Sequence, residues 1–311
     1  MINVTLRQLR YFDALARHGH FGRAAEACSI SQPALSMQIK ELEEALGGLL
    51  LERSARQVAL TRFGEELAQR VRDILRSVDE LGDFARASRD RFAGRLRIGM
   101  IPTIAPYLLP TITKNLTRLH PELDIRVRET MTPKLIQELS EGRLDTAIVA
   151  LPVSEPSLTE VALFEEKFLL VRPSTEEGTP VPSREMMREM RLLLLEEGHC
   201  FRDQALSFCN MQSAPPREML DANSLSTLVQ MVSAGIGVTL IPEMAVPVET
   251  RSASVSVSRF GDPQPSRTIG MVWRKTSPLA RQLMQISEVV CLSAGKVRTG
   301  HAAATPRALR T

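Results

Sequence analysis

Aromatic residues and long apolar runs are scarce in this sequence, and both absences exclude classes of protein. Aromatic side chains make up 4% of the 311 residues, too few for a stacking platform that binds single-stranded nucleic acid. The longest apolar runs, such as Leu192–Leu195, are much shorter than a membrane-spanning helix. The first ten residues also lack the apolar core of a signal peptide, so we expect a cytoplasmic protein with no membrane partner.

Cysteine patterns typical of metal sites are also absent. The four cysteines stand at positions 28, 200, 209 and 291, with no CxxC pair and no cysteine–histidine cluster of zinc spacing. The sequence therefore predicts no metal site and no cofactor. Cys28 is interpreted as a small buried residue and Cys291 as a packing or exposed thiol. Cys200 and Cys209, nine residues apart and next to His199, form the one unusual pair.

The net charge of +3 says nothing about DNA binding, because it comes from the C-terminal segment. From position 296 onward there are four basic residues and no acidic one, and without them 35 basic residues face 36 acidic ones. Residues 293–311 are predicted to form a basic, disordered tail without a role in the function. A DNA-binding function has to rest on a motif.

The N-terminal segment has the apolar periodicity of short helices. Leucine, phenylalanine and alanine recur at helical spacing from Leu6 to Ala16, and a second short helix is predicted over Phe21–Cys28. Ser31 can cap a third helix, which Gly47 ends. Residues 49–61 predict a hairpin, or wing. Residues 1–62 therefore predict an all-α winged helix-turn-helix domain.

The third helix is predicted to enter the major groove of DNA. Leu35 and Ile39 face inward, which leaves polar side chains and a methionine facing outward. Glutamine and serine can read base edges, methionine can touch a thymine methyl group, and lysine or arginine can pair with phosphate. Helix triplets of this kind also occur in proteins that bind no DNA. The candidate DNA-contacting residues are Gln32, Pro33, Ala34, Ser36, Met37, Lys40, Arg53 and Arg56.

Residues 63–93 predict a long linker helix with a narrow apolar seam. Phe63, Leu67, Val71, Ile74, Val78 and Leu81 follow each other at steps of three or four residues. This spacing is typical of a coiled coil and indicates pairing with a second subunit. A helix packed on its own domain is the alternative.

From residue 94 the pattern alternates between strands and helices, which indicates an α/β domain with a parallel sheet. Helices are predicted over 107–119 and 133–142. Thr103 and Thr132 each follow a predicted strand, at the sheet edge where α/β domains bind ligands. The predicted strands cover 95–101, 123–129, 144–151, 164–171, 192–196, 237–241 and 268–273.

The cysteine pair has the features of a redox switch. Gly198 interrupts a strand and residues 202–209 predict a helix, so Cys200 lies near a helix N-terminus between His199 and Arg202, conditions that favour a thiolate. Nine residues of helix span roughly 13 Å, whereas a disulfide needs Cα atoms within about 7 Å. A disulfide between the two therefore requires the helix to bend or unwind. From spacing alone, two ordinary core cysteines remain an alternative.

The N-terminal motifs closely resemble the winged helix-turn-helix of the LysR family. The resemblance implies a dimer or tetramer on a pseudo-palindromic operator of double-stranded DNA, contact with RNA polymerase, and a wing that carries Arg53 and Arg56. The order and spacing agree from Leu6 to Gly64, in the stretches Leu6–Phe12, Phe21–Ala25, Ser31–Ser36, Leu42–Glu43, Leu51–Arg53 and Leu60–Thr61.

Residues 94–292 resemble the effector domain of the same family, which is built like a periplasmic binding protein. The resemblance implies two α/β lobes, lobe I over about 94–166 and 268–292 and lobe II over about 167–267, with chain crossings near Glu166 and Arg267. Most members bind a small organic inducer between the lobes. A regulator that responds to a small organic inducer is therefore one hypothesis for this chain.

The segment Gly198–Ala205 with Phe208-Cys209 is similar to the redox segment of the hydrogen-peroxide-sensing members. The resemblance implies that Cys200 is the peroxidatic cysteine and Cys209 its resolving partner. A role for Asp203 is also implied, although capping is an alternative for both Asp203 and Thr132. The positions that hold peroxide and water beside the sulfur in those members are Thr103, Thr132, His199 and Arg267.

We therefore expect a regulator of antioxidant genes that a thiol reductant, such as a glutaredoxin or thioredoxin system, returns to its reduced form. Arg267 would stabilise negative charge on the leaving oxygen, and His199 would orient or transfer a proton. A thiol peroxidase is a third reading, but it leaves the helix-turn-helix unexplained. We expect no enzyme activity.

Overall fold

A computed structural model of the chain describes residues 3–52, 58–87, 94–209 and 221–302. They divide into two compact units, with the boundary after Ala85. Arg53 and Arg56, predicted on the wing, lie outside the described residues. Of the helices the structure describes, none combines the length and the apolar character needed to cross a membrane.

The first unit contains three short helices, the base of a wing and nearly all of a long helix. Thr61 and Leu50 join the base of the wing to the loop after α3 by a backbone hydrogen bond, and Leu51 and Leu60 form an antiparallel bridge. The core of the unit is built around the fully buried Phe12, Leu35 and Leu42. The helices are α1 (Leu6–His18), α2 (Phe21–Ala27), α3 (Gln32–Leu46) and α4 (Arg62–Ala87).

The helix ends follow the local sequence. The Ser31 hydroxyl accepts the backbone N–H of Ala34 at 3.3 Å, and Gly47 ends α3 with a φ of +70°, so both predicted signals are confirmed. The cap of α2 was not predicted. There, His20 Nδ1 accepts the N–H of Gly22 at 3.0 Å.

The apolar seam of α4 divides into two parts. Val71 is fully buried against the first unit and Leu67 packs beside it, as the alternative reading expected. Ile74 and Leu81 are exposed, by 46% and 68%. Leu67 and Val71 therefore belong to the core of their own domain, and the second half of the seam, with Ile74 and Leu81, is available for a partner helix.

The second unit is an α/β structure with two lobes that share one continuous set of strands. Strand order is β2-β1-β3-β9-β4-β7-β5-β6, with β8 paired to β4. The strands are β1 (Gly94–Met100), β2 (Leu123–Glu129), β3 (Thr146–Leu151), β4 (Leu158–Pro173), β5 (Leu192–Leu195), β6 (Asp221–Ala222), β7 (Val238–Pro242), β8 (Val255–Arg259) and β9 (Ser266–Arg274). The helices are α5 (Ala105–Leu119), α6 (Thr132–Ser140), α7 (Arg184–Met187), α8 (Cys200–Phe208), α9 (Leu225–Ser233), α10 (Val246–Glu249) and α11 (Ala280–Ala302).

The predicted parallel order holds within each lobe but not where the lobes join. Strand β1 runs parallel to β2 and β3, and β5 runs parallel to β6 and β7. Strand β9 is antiparallel to both β3 and β4. Strand β4 has 16 residues, because its first part pairs with β9 and its second part with β7 and β8. The sequence predicted only the second part of β4 and missed β6 and β8.

The expectation of a disordered tail from residue 293 is wrong for its first ten residues. Helix α11 continues to Ala302 and lies against α5. Ala294 and Val297 belong to the hydrophobic core, and the buried Ser293 hydroxyl accepts from Asn115 Nδ2 at 2.8 Å. Burial of one helix face therefore overrides the polar composition of this segment. Residues 303–311 lie outside the described part of the chain.

A buried hydrogen bond links the two lobes. The Tyr107 hydroxyl on α5 donates to Glu249 Oε1 on α10 at 2.6 Å, and the Ser226 hydroxyl donates to the second carboxylate oxygen. Both Tyr107 and Glu249 are buried. Burial and the bond to Glu249 raise the pKa of Tyr107 well above its usual range, so the phenol remains a donor.

We predict that Tyr107→Phe destabilises the second unit by about 2 kcal/mol, because a buried carboxylate loses a hydrogen bond. The only tryptophan, Trp273, is buried in the second unit, so its fluorescence during urea unfolding reports on that unit alone. Tyr11→Phe in the first unit is the matched control and should leave this transition unchanged. A Tyr107→Phe transition that coincides with wild type would show that the bond contributes nothing to stability.

Candidate functional site

A small cleft brings together four residues that the sequence singled out. Thr103 follows β1, Thr132 begins α6, and His199 and Cys200 form the start of α8. The cleft is narrow and partly open to solvent, with about 180 Å³ free of protein atoms when the space at its mouth is counted. Its lining consists of Ile101, Pro102, Thr103, Met131, Thr132, Gly198, His199, Cys200 and Phe201.

Gly198 places Cys200 at this position. Its φ of +93° is rarely open to other residues, and a Cβ atom there would lie 2.7 Å from the sulfur of Met131. The chain therefore turns sharply after β5 and starts α8 at Cys200, with His199 as the preceding cap residue. Phe201 anchors this end, because it is buried and packs edge-on against Phe168 at a ring distance of 4.8 Å. The positive end of the α8 dipole meets the Cys200 sulfur in the cleft.

The two residues expected to act as cations beside Cys200 do not do so. Arg202 Nη1 donates to the Leu195 carbonyl at 2.8 Å and to Asp221 Oδ1 at 2.6 Å, so its charge is already paired. Burial lowers the pKa of His199, and the opposing effect of Glu196 is smaller. His199 is therefore a neutral imidazole at pH 7, with one nitrogen that donates and one that accepts a proton.

Arg267 reaches the cleft through Thr103 and is not part of the lining. Its Nη1 donates to the Thr103 hydroxyl oxygen at 2.9 Å, and its Nε and Nη2 donate to Glu166 Oε2 at 2.9 and 2.7 Å. Both charged side chains are almost fully buried. Because the Thr103 oxygen accepts from Arg267, the Thr103 hydroxyl proton is free to point into the cleft.

Thr132 offers a second hydroxyl to the cleft. Its oxygen is buried and has no hydrogen-bond partner among the described residues. Thr132 is the first residue of α6 and makes no capping bond, so the geometry does not favour the capping alternative. A buried hydroxyl without a partner costs free energy, which a ligand with a matching polar group would recover.

Asp203, the candidate of the redox segment with a predicted role beside the peroxide, lies away from the cleft. Its side chain is exposed on α8 and does not line the cleft. The position of this residue does not favour a role in holding peroxide, which stays a prediction from resemblance.

Cys209 lies at the opposite end of α8, and both thiols are free. Nine residues of helix correspond to about two and a half turns and roughly 13 Å, so the two side chains leave the helix on opposite sides. Cys209 is fully buried. Burial raises the pKa of its thiol to about 11, although Arg184 and Arg188 partly oppose this effect. The structure is therefore that of a reduced form with a protonated second thiol.

The other two cysteines lie outside the cleft. Cys28 is half-buried at the end of α2, and burial, followed by the charge of Asp13, raises the pKa of its thiol. Cys291 is exposed in the middle of α11, where its sulfur lies 3.3 Å from the Leu163 carbonyl. Neither residue lines the cleft.

The outer face of α3 has the exposure that DNA reading requires. Gln32, Pro33, Ser36, Met37 and Lys40 are exposed, and Ala34 is half-buried. Leu35 and Ile39 are buried, as their spacing predicted. Met37, exposed by 57%, is an apolar side chain with no protein surface to cover it. This face can therefore meet base edges and methyl groups without rearrangement.

Some site residues carry no local signal in the sequence. Glu166, the charge partner of Arg267, is 101 residues away along the chain. Met131 and Phe201 are ordinary apolar residues whose contribution is steric. Only the crossing of β4 and β9, where Glu166 pairs with Arg267 across the ladder, brings the ion pair together.

Two protein families match the chain, one for each unit. Residues 6–65 match the bacterial regulatory helix-turn-helix protein, lysR family, and residues 89–290 match the LysR substrate binding domain. Among curated relatives, the chain is 45% identical over 290 residues to the probable hydrogen peroxide-inducible genes activator of Streptomyces viridosporus, covering 91% of this chain and 92% of the relative. It is 42% identical over 292 residues to the DNA-binding transcriptional dual regulator OxyR of Escherichia coli strain K12, with 92% and 95% covered.

The chain is also similar to solved structures of OxyR proteins. A full-length OxyR variant from Pseudomonas aeruginosa superposes with a TM-score of 0.74 at 36% identity, over 93% of this chain and 95% of that one. A hydrogen-peroxide-bound OxyR mutant from Corynebacterium glutamicum superposes with a TM-score of 0.67 at 32% identity, over 99% of each chain. The predicted fold, a winged helix-turn-helix followed by a two-lobed α/β domain, is confirmed.

We predict that the thiols differ widely in their reaction with iodoacetamide at pH 8. Cys209 should react about a hundredfold or more slowly than the exposed Cys291, because its thiol is buried and its pKa is raised to about 11. Cys209 should gain reactivity only as the pH rises toward that value. Peptide mass spectrometry after timed quenching gives the rates, and similar rates for the two thiols would contradict the buried position of Cys209.

Proposed function

The chain belongs to the LysR family of bacterial regulators, and on that premise we propose that it is a DNA-binding transcriptional regulator that senses hydrogen peroxide. The sensing reaction is the reversible formation of a disulfide between Cys200 and Cys209. The regulated genes are those of the antioxidant response. The observation that carries this proposal is a small cleft in which the Cys200 thiol faces two threonine hydroxyls and a neutral histidine.

The first step is attack on peroxide by the deprotonated Cys200 sulfur. An S–O bond forms while the O–O bond breaks, and the leaving hydroxide takes up a proton to become water, which leaves Cys200 as a sulfenic acid. The Thr103 and Thr132 hydroxyls can hold the peroxide oxygens, and His199 can transfer the proton. Arg267 supports the negative charge on the leaving oxygen by polarising the Thr103 hydroxyl.

The second step joins the two cysteines. The Cys209 thiol loses its proton, its sulfur attacks the Cys200 sulfur, an S–S bond forms, the S–O bond breaks and a second water leaves. Because the two residues lie roughly 13 Å apart on a helix, α8 has to unwind for this bond to form. A local reaction thereby forces a change of conformation that a DNA-binding unit can sense.

The partners follow from the same reading. The chain binds double-stranded operator DNA through α3 and acts on RNA polymerase as a homo-oligomer, a dimer of dimers, in which the exposed half of the α4 seam pairs with a second copy. A cytoplasmic thiol reductant of the glutaredoxin or thioredoxin type restores the two thiols. Peroxide is consumed once in each sensing cycle, so the protein is not an enzyme.

We predict that Cys200→Ser abolishes the redox response without affecting DNA binding. Reduced protein would receive a short sub-millimolar peroxide pulse, and the same samples would be used for thiol mapping by mass spectrometry and for operator footprints. Wild type should form the Cys200–Cys209 disulfide and change its footprint, and Cys291→Ser should behave like wild type.

Two results would favour the alternative hypotheses, an inducer-binding regulator or a thiol peroxidase. If the thiols of wild type stayed reduced and the footprint moved only with a small organic metabolite, the chain would be an inducer-binding member of the family. Sustained turnover of peroxide with a thiol reductant, far beyond one equivalent, would instead indicate a thiol peroxidase.

We predict a smaller effect for Lys40→Ala on α3. The variant should bind operator DNA more weakly and lower the slope of log affinity against log salt by about 0.9, because one phosphate contact is lost. Lys114→Ala, at an exposed position on α5, is the control and should keep both quantities at the wild-type values. Titrations at several salt concentrations make the test, and an unchanged slope for Lys40→Ala would place this side chain away from the phosphates.

A further inference from the structure

The C-terminal end of α8 is held by two arginines from outside the helix. The Arg184 guanidinium lies over the ring of Phe208, 4.7 Å from its centroid, and its Nη2 lies 3.5 Å from the Pro263 carbonyl. Arg188 Nε donates to the Cys209 carbonyl at 3.2 Å. Both arginines belong to α7 or follow it directly. We refer to the two contacts with α8, Arg184 with the Phe208 ring and Arg188 with the Cys209 carbonyl, as the arginine clamp.

The clamp closes around an aromatic pair. Phe208 packs edge-on against Phe260, with ring centroids 5.0 Å apart and planes at 67°. The Phe208 ring therefore has Arg184 on its face and Phe260 beside it. Cation–π and edge-on aromatic contacts each favour one ring position. The last turn of α8 is thereby fixed, together with the Cys209 backbone.

The two ends of α8 are held by different kinds of contact. At the first end, Phe201 and Ala205 belong to the hydrophobic core, so moving Cys200 would expose buried apolar surface. At the other end, Arg184 and Arg188 are exposed and Phe208 is half-buried. Cys209 is fully buried, but its side chain is much smaller than that of Phe201. Unwinding the C-terminal end would therefore expose less apolar surface than unwinding the first end.

We propose that Arg184 and Arg188 are positioning residues that set the rate at which Cys209 resolves the Cys200 sulfenic acid. This inference rests on the proposed function and adds its rate-controlling contacts. The last turn of α8 leaves the clamp before the Cys209 sulfur can reach Cys200. The chemistry of the step is unchanged, since the thiol proton and the sulfenic oxygen leave as water and no further reactant is needed.

The clamp separates the two steps of sensing in time. Attack on peroxide takes place at the first end of α8 and does not involve Arg184 or Arg188. Closure takes place only after the far end is released. Loss of the clamp should therefore speed the second step and leave the first step unchanged.

The test compares Arg184→Ala, Arg188→Ala and the double variant with wild type in the full-length protein. Reduced protein would be mixed with hydrogen peroxide and quenched at intervals, once with dimedone to trap the sulfenic acid and once with an alkylating agent to count the disulfide. Each single variant should close the disulfide about three- to tenfold faster, and the double variant faster still. The rate of sulfenic acid formation should equal that of wild type. Arg191→Ala, an exposed arginine of the same segment that donates no hydrogen bond to α8, should match wild type in both steps.

A second measurement uses the reduced protein alone. Hydrogen exchange at the amides of Phe208 and Cys209 should be faster in the double variant, while exchange in β3 stays the same. Equal or slower closure in the double variant overturns the proposal, and slower closure would mean that the arginines act by charge on the Cys209 thiolate. If wild type forms the sulfenic acid but no Cys200–Cys209 disulfide, the proposed function fails and the clamp proposal fails with it.

Discussion

The buried ion pair between Glu166 and Arg267 is the contact on which the geometry of the cleft depends. The two residues face each other where β4 and β9 pass from one lobe to the other. Glu166 also accepts the backbone N–H of Met244 at 3.3 Å, so the pair ties both lobes to the crossing. Removing one partner of a buried pair leaves an unpaired charge, at a cost of about 3–5 kcal/mol. The ion pair therefore holds the Arg267 side chain in one position. From there it donates to the Thr103 hydroxyl oxygen, and its guanidinium lies 5.3 Å from the centroid of the Phe201 ring.

In the proposed function, helix α8 has one firm end and one end that can be released. Its start is anchored by core residues and by the close approach of Gly198 to Met131, and its end is held by exposed arginines and a half-buried ring. An element of this kind can change conformation without unfolding the lobe, because the core contacts of Phe201 stay in place. A covalent bond between the two ends can then supply the free energy that selects the unwound state. In the proposed function, formation of the disulfide and unwinding of α8 are therefore one event.

The sequence predicted the features of the fold and site that depend on local order. Strand, loop and helix follow each other around Thr103 and Thr132, and Gly198 marks the start of α8, so these positions could be found from spacing. It could not predict that Asp221 neutralises Arg202 or that burial keeps His199 neutral, because both effects come from distant segments.

The prediction of a disordered tail from residue 293 was wrong because it also ignored contacts with a distant segment. The composition after residue 293 is polar overall, but Ala294 and Val297 share one helix face that α5 covers. The average composition of a segment does not show whether its apolar residues share one helix face, and it is that face which becomes buried.

The described lining of the cleft contains no cation, and this bears on which ligand the cleft can accept. The polar groups available are two hydroxyls, one neutral imidazole and the N-terminus of α8, while Ile101, Pro102, Met131 and Phe201 provide apolar walls. A carboxylate inducer would need a charged partner in the cleft, and Arg267 is already engaged by Glu166. The cleft is also too narrow for a larger organic ligand, since pockets for such ligands usually enclose about 300–1,000 Å³. Hydrogen peroxide is small and neutral, and each of its oxygens can both donate and accept a hydrogen bond. The chemistry of the cleft therefore favours peroxide over an organic inducer at this position, independently of the similarity to peroxide-responsive relatives.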